Sequence, residues 1–171
     1  VLTGESNSLV NNHKVEFNSV RTFYFSSRIK VKHSKYINLF PYDNLINNIA
    51  ILSSVSENYS PEGKTLFSIT IIESDLSKSD LIDIIQDKLS TYYGNGKSNY
   101  IFMKEINIKQ ATIKQKTGYF DLKFEDKKNI LFAGDYTTYG SIEGAVVSGI
   151  KTAEKIISMS TPVWFLILSL L

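Results

Sequence analysis

Residues 129–149, NILFAGDYTTYGSIEGAVVSG, carry more information about fold and function than any other stretch of this chain. They begin with the short apolar run 130–132, continue into a glycine and an acid, and end in a segment rich in small residues. This order predicts a buried strand, a turn and the start of a helix. A strand that ends in a glycine turn lets the backbone come close to a large ligand.

Individual residues of this segment suit contact with a partly anionic ligand. Gly134 has no Cβ, so a ligand can lie against its backbone. The Asp135 carboxylate can accept hydrogen bonds from sugar or polyol hydroxyls. Ser141 is a favourable N-cap, and Gly144 and Ala145 keep the first helical turn thin, so that its free N–H groups attract negative charge. An ordinary turn before a closely packed helix explains the same residues, and the residues alone leave both interpretations open.

Composition restricts the class of protein. The chain has 171 residues, of which 43% are hydrophobic and 21% charged, which is typical of a globular protein with one core. A net charge of +2 with scattered lysines argues against nucleic acid as a partner. The absence of cysteine excludes disulfides, thiolate nucleophiles and thiol-tethered cofactors. His13 and His33 lie far apart, so no metal site is expected.

Hydrophobic periodicity predicts a mixed α/β chain, of the α+β kind with a mixed sheet containing antiparallel hairpins. A helix is expected over residues 77–93, capped by Ser77 or Ser79 and ended by glycine, and a second helix over 141–159. Residues 109–126 are expected to be irregular, and residues 60–63 to form a turn with proline second and glycine fourth. The expected strands are 20–26, 64–72, 100–108 and 130–133, and residues 36–41 and 46–55 are expected to be further strands or buried runs.

Residues 131–156, LFAGDYTTYGSIEGAVVSGIKTAEKI, resemble the carboxyl-terminal flavin-binding signature of the FAD-dependent amine oxidase and phytoene desaturase superfamily. Residues 37–72 resemble the segment that precedes it, through Asn47 and Asn48 and then a turn and strand marked by Tyr59, Pro61, Gly63 and Leu66. Residues 111–120 stand in place of the family's loop before the signature and lack its prolines. The resemblance covers most of residues 20–158.

The resemblance implies FAD as the cofactor and gives roles to seven residues. Asp135 would hydrogen-bond the ribityl chain, and the backbone of Gly134 and Asp135 would lie beside the pyrophosphate. The helix that Ser141 caps would stabilise negative charge on the reduced flavin. Backbone N–H groups at the pyrimidine edge of the flavin would come from Ile142, Glu143, Gly144 and Ala145. The acid at Glu143 also has a plain structural explanation, because an acid stabilises a first helical turn.

Within this superfamily the resemblance favours the desaturase branch. Amine oxidases carry an aromatic residue where this chain has Ser141, and the lack of cysteine excludes a thioether-linked flavin. The implied reaction is a dehydrogenation in which hydride passes from a small carbon substrate to flavin, with an apolar molecule as the candidate substrate and no evident catalytic acid or base in this chain. Tyr136 and Tyr139 are candidates for lining a pocket, although loop tyrosines more often pack or lie half exposed.

The family's opening G-x-G-x-x-G motif does not occur in this sequence, and Gly94 and Gly96 follow a helix without preceding another. The resemblance therefore implies that the chain is the carboxyl-terminal part of an FAD/NAD(P)-binding, Rossmann-like oxidoreductase, with part of its substrate-binding sheet domain. Two alternatives stay open: a non-catalytic truncated relative that binds no flavin alone, and an interaction module that uses the aromatic sheet. The expected domains are part of a substrate-binding sheet domain, a FAD-binding segment and an apolar tail, over 1–125, 126–160 and 161–171.

The apolar run 163–171 is too short to cross a bilayer, which needs about 20 apolar residues. It leaves association with a membrane open. No signal peptide is visible after Val1, and the compartment, oligomeric state, electron acceptor and substrate are not determined by the sequence.

Overall fold

A computed structural model describes residues 15–29, 31, 35–72, 74–118 and 130–160. The chain forms two compact units. Residues 19–111 make up one, here called the sheet unit. The described residues up to 18 and from 112 onward make up the other, here called the α3 unit after its helix α3 (Ile142–Ser160). The expected division into 1–125, 126–160 and 161–171 stays a prediction.

One five-stranded sheet, with strand order β2-β3-β4-β1-β5, organises the described chain. The pairs β1–β4, β3–β4 and β2–β3 are antiparallel, and in their registers Phe67 lies opposite both Phe25 and Ile51. With its helices, this sheet makes the protein a mixed α/β structure, as expected. The strands are β1 (Phe17–Ser27), β2 (Asn38–Leu39), β3 (Ile46–Ile51), β4 (Thr65–Ile72) and β5 (Ile101–Ile113).

The core of the sheet unit lies between the central strands and helix α2 (Lys78–Tyr93). Residues of β4 alternate between buried and half-buried from Thr65 to Ile71, as the two-residue period of a strand requires. The apolar side of α2 contributes Leu81, Ile85 and Leu89, all fully buried. Their spacing places them on one face of the helix, which explains why this segment folds against a sheet.

The caps of α2 confirm the sequence prediction. The Ser77 side chain accepts a hydrogen bond from the backbone N–H of Asp80 at 3.2 Å, and Asp80 lies in the first turn, where an acid is favourable. The helix ends at Gly94, whose φ of 77° is accessible to glycine at little cost.

The segment 46–55, expected as a strand or a buried run, is a strand only as far as Ile51, and the residues beyond it are not buried. A single helical turn, α1 (Leu52–Val55), follows β3 directly. The Ser53 hydroxyl accepts a hydrogen bond from the N–H of Leu66 at 3.2 Å, so a side chain takes the place of a ladder partner there. Strand periodicity cannot anticipate this, because the residue that satisfies the backbone is thirteen positions away.

The turn before β4 is shifted by one residue from the predicted position. The N–H of Lys64 donates to the carbonyl of Pro61 at 3.1 Å, so proline is first in the turn and glycine third. Gly63 has φ of 73°, which explains the need for glycine at that third position. The prediction for 109–126 is also wrong in part, since β5 continues to Ile113; residues 119–126 lie outside the described residues.

The α3 unit has a small core of its own. Ile113, Phe132 and Tyr136 are buried together, with Val15, Phe17 and Ile130 packed against them. The expected strand over 130–133 is reduced to isolated bridges at Ile130 and Phe132. The helix predicted for 141–159 is confirmed as α3 (Ile142–Ser160). No helix in the described ranges combines the length and apolarity that crossing a membrane requires.

Candidate functional site

The glycine–acid turn has a backbone conformation that glycine alone adopts readily. Gly134 has φ of 147° and ψ of 165°. A Cβ at this position would lie 2.5 Å from the Tyr136 ring, which is itself only 1% exposed. The turn closes through a hydrogen bond from the N–H of Thr137 to the Gly134 carbonyl at 3.0 Å. Glycine is therefore required here by both conformation and packing.

Asp135 begins a single 3-10 turn, Asp135–Thr137, and is half-buried. Within the described residues its carboxylate accepts no hydrogen bond and joins no ion pair. A half-buried carboxylate usually has hydrogen-bond donors around it. Asp135 thus offers two acceptor oxygens to a ligand.

The start of α3 lies in the same unit and is capped as predicted. The Ser141 hydroxyl accepts a hydrogen bond from the N–H of Gly144 at 2.9 Å, and its carbonyl accepts one from the N–H of Ala145 at 3.0 Å. The N–H groups of Ile142 and Glu143 have no acceptor in the described part of the chain. Ile142 is 88% exposed and Glu143 is exposed, so two donors remain at the positive end of the helix.

Gly144 has a structural role that the sequence did not show. It is buried, and a Cβ at this position would overlap the carbonyl oxygen of Tyr139 and lie 3.0 Å from Oγ1 of Thr138. The Thr138 hydroxyl also donates to the Gly144 carbonyl at 2.8 Å. The missing side chain therefore admits the chain's own loop, whereas Ala145 on the next position is exposed.

The two tyrosines of the loop differ in their surroundings. Tyr136 is buried in the small core, so it packs instead of lining an open pocket. Tyr139 is half-buried, and its carbonyl accepts a hydrogen bond from the N–H of Ser141 at 2.8 Å.

Hydroxyl side chains without a distinctive sequence signal tie the turn to α3. Ser148 is 3% exposed and accepts a hydrogen bond from the N–H of Gly134 at 3.0 Å. Thr137 donates to the Gly134 carbonyl at 2.8 Å, and its Oγ1 lies 2.6 Å from Oγ of Ser148. Serine and threonine inside a helix give no distinctive sequence signal, so only the structure reveals these contacts.

A second polar cluster lies in the sheet unit around Asp43. Its carboxylate accepts hydrogen bonds from the N–H groups of Leu45 and Ile46 at 2.8 and 2.9 Å, from the Tyr92 hydroxyl at 2.7 Å, and from the Lys88 ammonium. Burial alone would raise the pKa of Asp43, but these donors outweigh it and hold that pKa well below 3.8. Because four donors already occupy the carboxylate, we interpret this cluster as structural.

This cluster makes stability depend on pH in acid. The folded-state pKa of Asp43 is depressed, so its contribution is present above the ordinary value of 3.8 and is lost as pH falls below it. We expect Asp43→Asn to lower the free energy of unfolding by about 2 kcal/mol at neutral pH, and the deficit to shrink in acid. Urea unfolding at several pH values measures this. The exposed Asp75→Asn serves as control; a deficit that is equal at every pH would contradict the assignment.

The described residues contain no candidate metal site, because no three of their His, Cys, Asp or Glu side chains lie close enough together to hold a metal ion. The site that remains consists of a glycine turn, an open carboxylate and a helix start with two open N–H groups. This is a class of site that suits a ligand with both hydroxyl and electronegative groups.

Comparison with known proteins identifies the family. The sequence model of the family described as flavin containing amine oxidoreductase matches residues 14–157, so the chain belongs to that family. No curated protein matches the chain. Among solved structures, an oxidoreductase from Methanosarcina mazei aligns with a TM-score of 0.56 at 12% identity, over 82% of this chain and 35% of the other.

A Pyrococcus furiosus protein aligns equally well, with a TM-score of 0.56 at 15% identity, over 82% of this chain and 32% of that one. At these identities the likeness concerns the fold alone. The chain spans about a third of the length of both structures.

Proposed function

We propose that this chain forms the carboxyl-terminal part of an FAD-dependent oxidoreductase, and that its glycine–acid turn and the start of α3 bind the cofactor. The observation that carries the proposal is the half-buried Asp135 carboxylate, which has no partner among the described residues. It stands beside a glycine turn, in the unit that also presents the open helix start. Family membership supports a flavin as the ligand.

The residues present fit the chemistry of FAD. Asp135 would accept hydrogen bonds from the polyol hydroxyls, and the backbone of Gly134 would accommodate the phosphates, because it lacks a Cβ. The N–H groups of Ile142 and Glu143 would donate to the electronegative edge of the ring. When bound, FAD supplies the capacity to accept hydride. Of the seven residues first proposed, three would act indirectly. Ser141 caps the helix, Gly144 admits the loop, and the N–H of Ala145 already donates to the Ser141 carbonyl.

We propose a desaturase-like dehydrogenation of a small, apolar carbon substrate in preference to amine oxidation. The position before the first turn of α3 is Ser141, whose hydroxyl is occupied in capping, and no aromatic ring stands there to surround an amine. Binding of a positively charged amine would favour such a ring.

We further propose that additional polypeptide completes the cofactor site. The sequence contains no G-x-G-x-x-G motif, and the chain aligns with about a third of the length of the solved structures. The apolar residues Ile142, Val146 and Ile150 follow one another at helical spacing on α3 and are 88%, 56% and 54% exposed. Such an apolar stripe normally packs against another element.

Substitution of Asp135 tests the cofactor assignment. In the full-length protein, which would include the additional polypeptide proposed above, we expect Asp135→Ala to weaken FAD binding on the order of 100-fold. The reason is that two charge-assisted acceptors are lost. Titration of the apoprotein followed by flavin fluorescence measures the dissociation constant. Glu154→Ala, which removes an exposed acid from α3, is the matched control and should leave the constant unchanged. A colourless protein that ignores added FAD would refute the proposal.

The second candidate is a non-catalytic relative that binds no flavin by itself. The exposed apolar residues of α3 favour it for residues 1–171 expressed alone. Titration of that polypeptide with FAD distinguishes the two, since tight binding would exclude the non-binding candidate.

A further inference from the structure

We infer that Ser148 and Thr137 are positioning residues that hold the glycine–acid turn in its FAD-binding orientation. This inference rests on the proposed function. It adds two residues that would act through the turn and not by contact with FAD. It is carried by a closed ring of hydrogen bonds in the α3 unit that involves both polar groups of Gly134.

The ring has three members and three contacts. The N–H of Gly134 lies 3.0 Å from Oγ of Ser148, which lies 2.6 Å from Oγ1 of Thr137. Oγ1 of Thr137 in turn lies 2.8 Å from the carbonyl oxygen of Gly134. All three distances are within the range of good hydrogen bonds.

Proton counting fixes the direction of every bond in the ring. An N–H can only donate and a carbonyl can only accept, whereas each hydroxyl has a single proton. Thr137 therefore donates to the carbonyl of Gly134, and Ser148 must donate to Thr137 while it accepts from the N–H of Gly134. Because the bonds all run the same way round, each strengthens the next.

The ring holds a backbone that has few other restraints. Near it the chain forms only isolated bridges at Ile130 and Phe132, and Gly134 has the broadest conformational freedom of any residue type. Ser148 is 3% exposed, so water cannot replace its hydroxyl without rearrangement. Loss of either hydroxyl opens the ring and removes the tie between the turn and α3, while the turn keeps its own backbone hydrogen bonds and the packing of Tyr136.

The ring also connects the two halves of the proposed site. Ser148 lies on α3 two turns after the cap Ser141, and a helix moves as a rigid element over that distance. Asp135 follows Gly134 directly. The ring therefore fixes the carboxylate of Asp135 relative to the open N–H groups at the helix start, which is the relation that a ligand spanning both would require.

The test compares Thr137→Val with Thr137→Ser in the natural gene product. Valine keeps the shape and removes the hydroxyl, whereas serine keeps the hydroxyl. We expect FAD to dissociate on the order of tenfold faster from the valine variant, and serine to restore the wild-type rate. We also expect a more negative reduction potential of bound FAD in the valine variant only, because the helix start would stabilise the reduced flavin less well.

Two further variants sharpen the test. Ser148→Ala should release FAD at the same rate as Thr137→Val. The double variant should release FAD no faster than either single variant, since all three open the same ring. Ser158→Ala is the control, because that exposed hydroxyl bonds only to the Lys155 carbonyl within α3. The inference would be overturned if the two single substitutions had additive effects on the rate of FAD dissociation. It would also be overturned if Thr137→Val and Thr137→Ser released FAD at the same rate in a protein that does bind FAD. Failure of the wild-type protein to bind FAD would instead overturn the proposed function.

Discussion

Gly144→Ala is expected to destabilise the α3 unit by about 3 kcal/mol or more. The added Cβ would overlap the carbonyl oxygen of Tyr139, which is a backbone atom and cannot rotate away. Relief requires the loop before α3 to move, which breaks the hydrogen bond from Thr138 to the Gly144 carbonyl. Urea unfolding of residues 1–171 gives the free energy of unfolding.

Gly149→Ala, on the same helix, is the matched control, and we expect it to change the free energy of unfolding in the opposite direction. Among the described residues, nothing lies within 4 Å of where the Cβ would be, so alanine should stabilise the chain by about 0.5–1 kcal/mol through its higher helix propensity. Equal effects of the two substitutions would contradict the packing argument. If Gly149→Ala lowered the free energy of unfolding only in the full-length protein, that result would show that additional polypeptide packs on that side of α3.

Phe67→Ala is expected to lower the free energy of unfolding of the sheet unit by about 3–5 kcal/mol. The side chain is fully buried in β4, and its ring centre lies 5.4 Å from that of Tyr93 and 5.6 Å from that of Tyr100. Alanine would leave a cavity between the sheet and α2, which aromatic neighbours on two sides cannot readily fill. Denaturant unfolding measures the loss.

Tyr42→Ala provides the comparison for Phe67→Ala. Tyr42 is 97% exposed, so its removal should change the free energy of unfolding by no more than about 0.5 kcal/mol. If both substitutions left the free energy of unfolding unchanged, the core assigned to the sheet unit would be wrong.

The sequence predicted those elements whose signals are local. Ser77 and Ser141 were expected as caps and both accept the hydrogen bond that a cap requires. The apolar spacing of Leu81, Ile85 and Leu89 likewise located α2. These features depend on residues within one or two turns, so the order of residues is sufficient to find them.

Features that depend on distant partners were missed. Ser53 ends β3 by bonding to Leu66, and Gly144 admits a loop that the sequence does not place there. For the candidate site, Gly134 and Asp135 were identified as the turn, but Ser148 was not, because its partner lies fourteen residues earlier. Whether the seven residues bind FAD stays a prediction that the Asp135 variant tests.

The arrangement of the two compact units along the chain has a consequence for biosynthesis. Residues 19–111 are contiguous, whereas the other unit joins residues from before and after them. The contiguous unit can fold as soon as it leaves the ribosome, while its companion must wait until the residues after 111 have been synthesised. During that interval Val15 and Phe17 lack the later Phe132 and Tyr136 as neighbours, so this stretch of the nascent chain stays exposed to chaperones and proteases until they arrive.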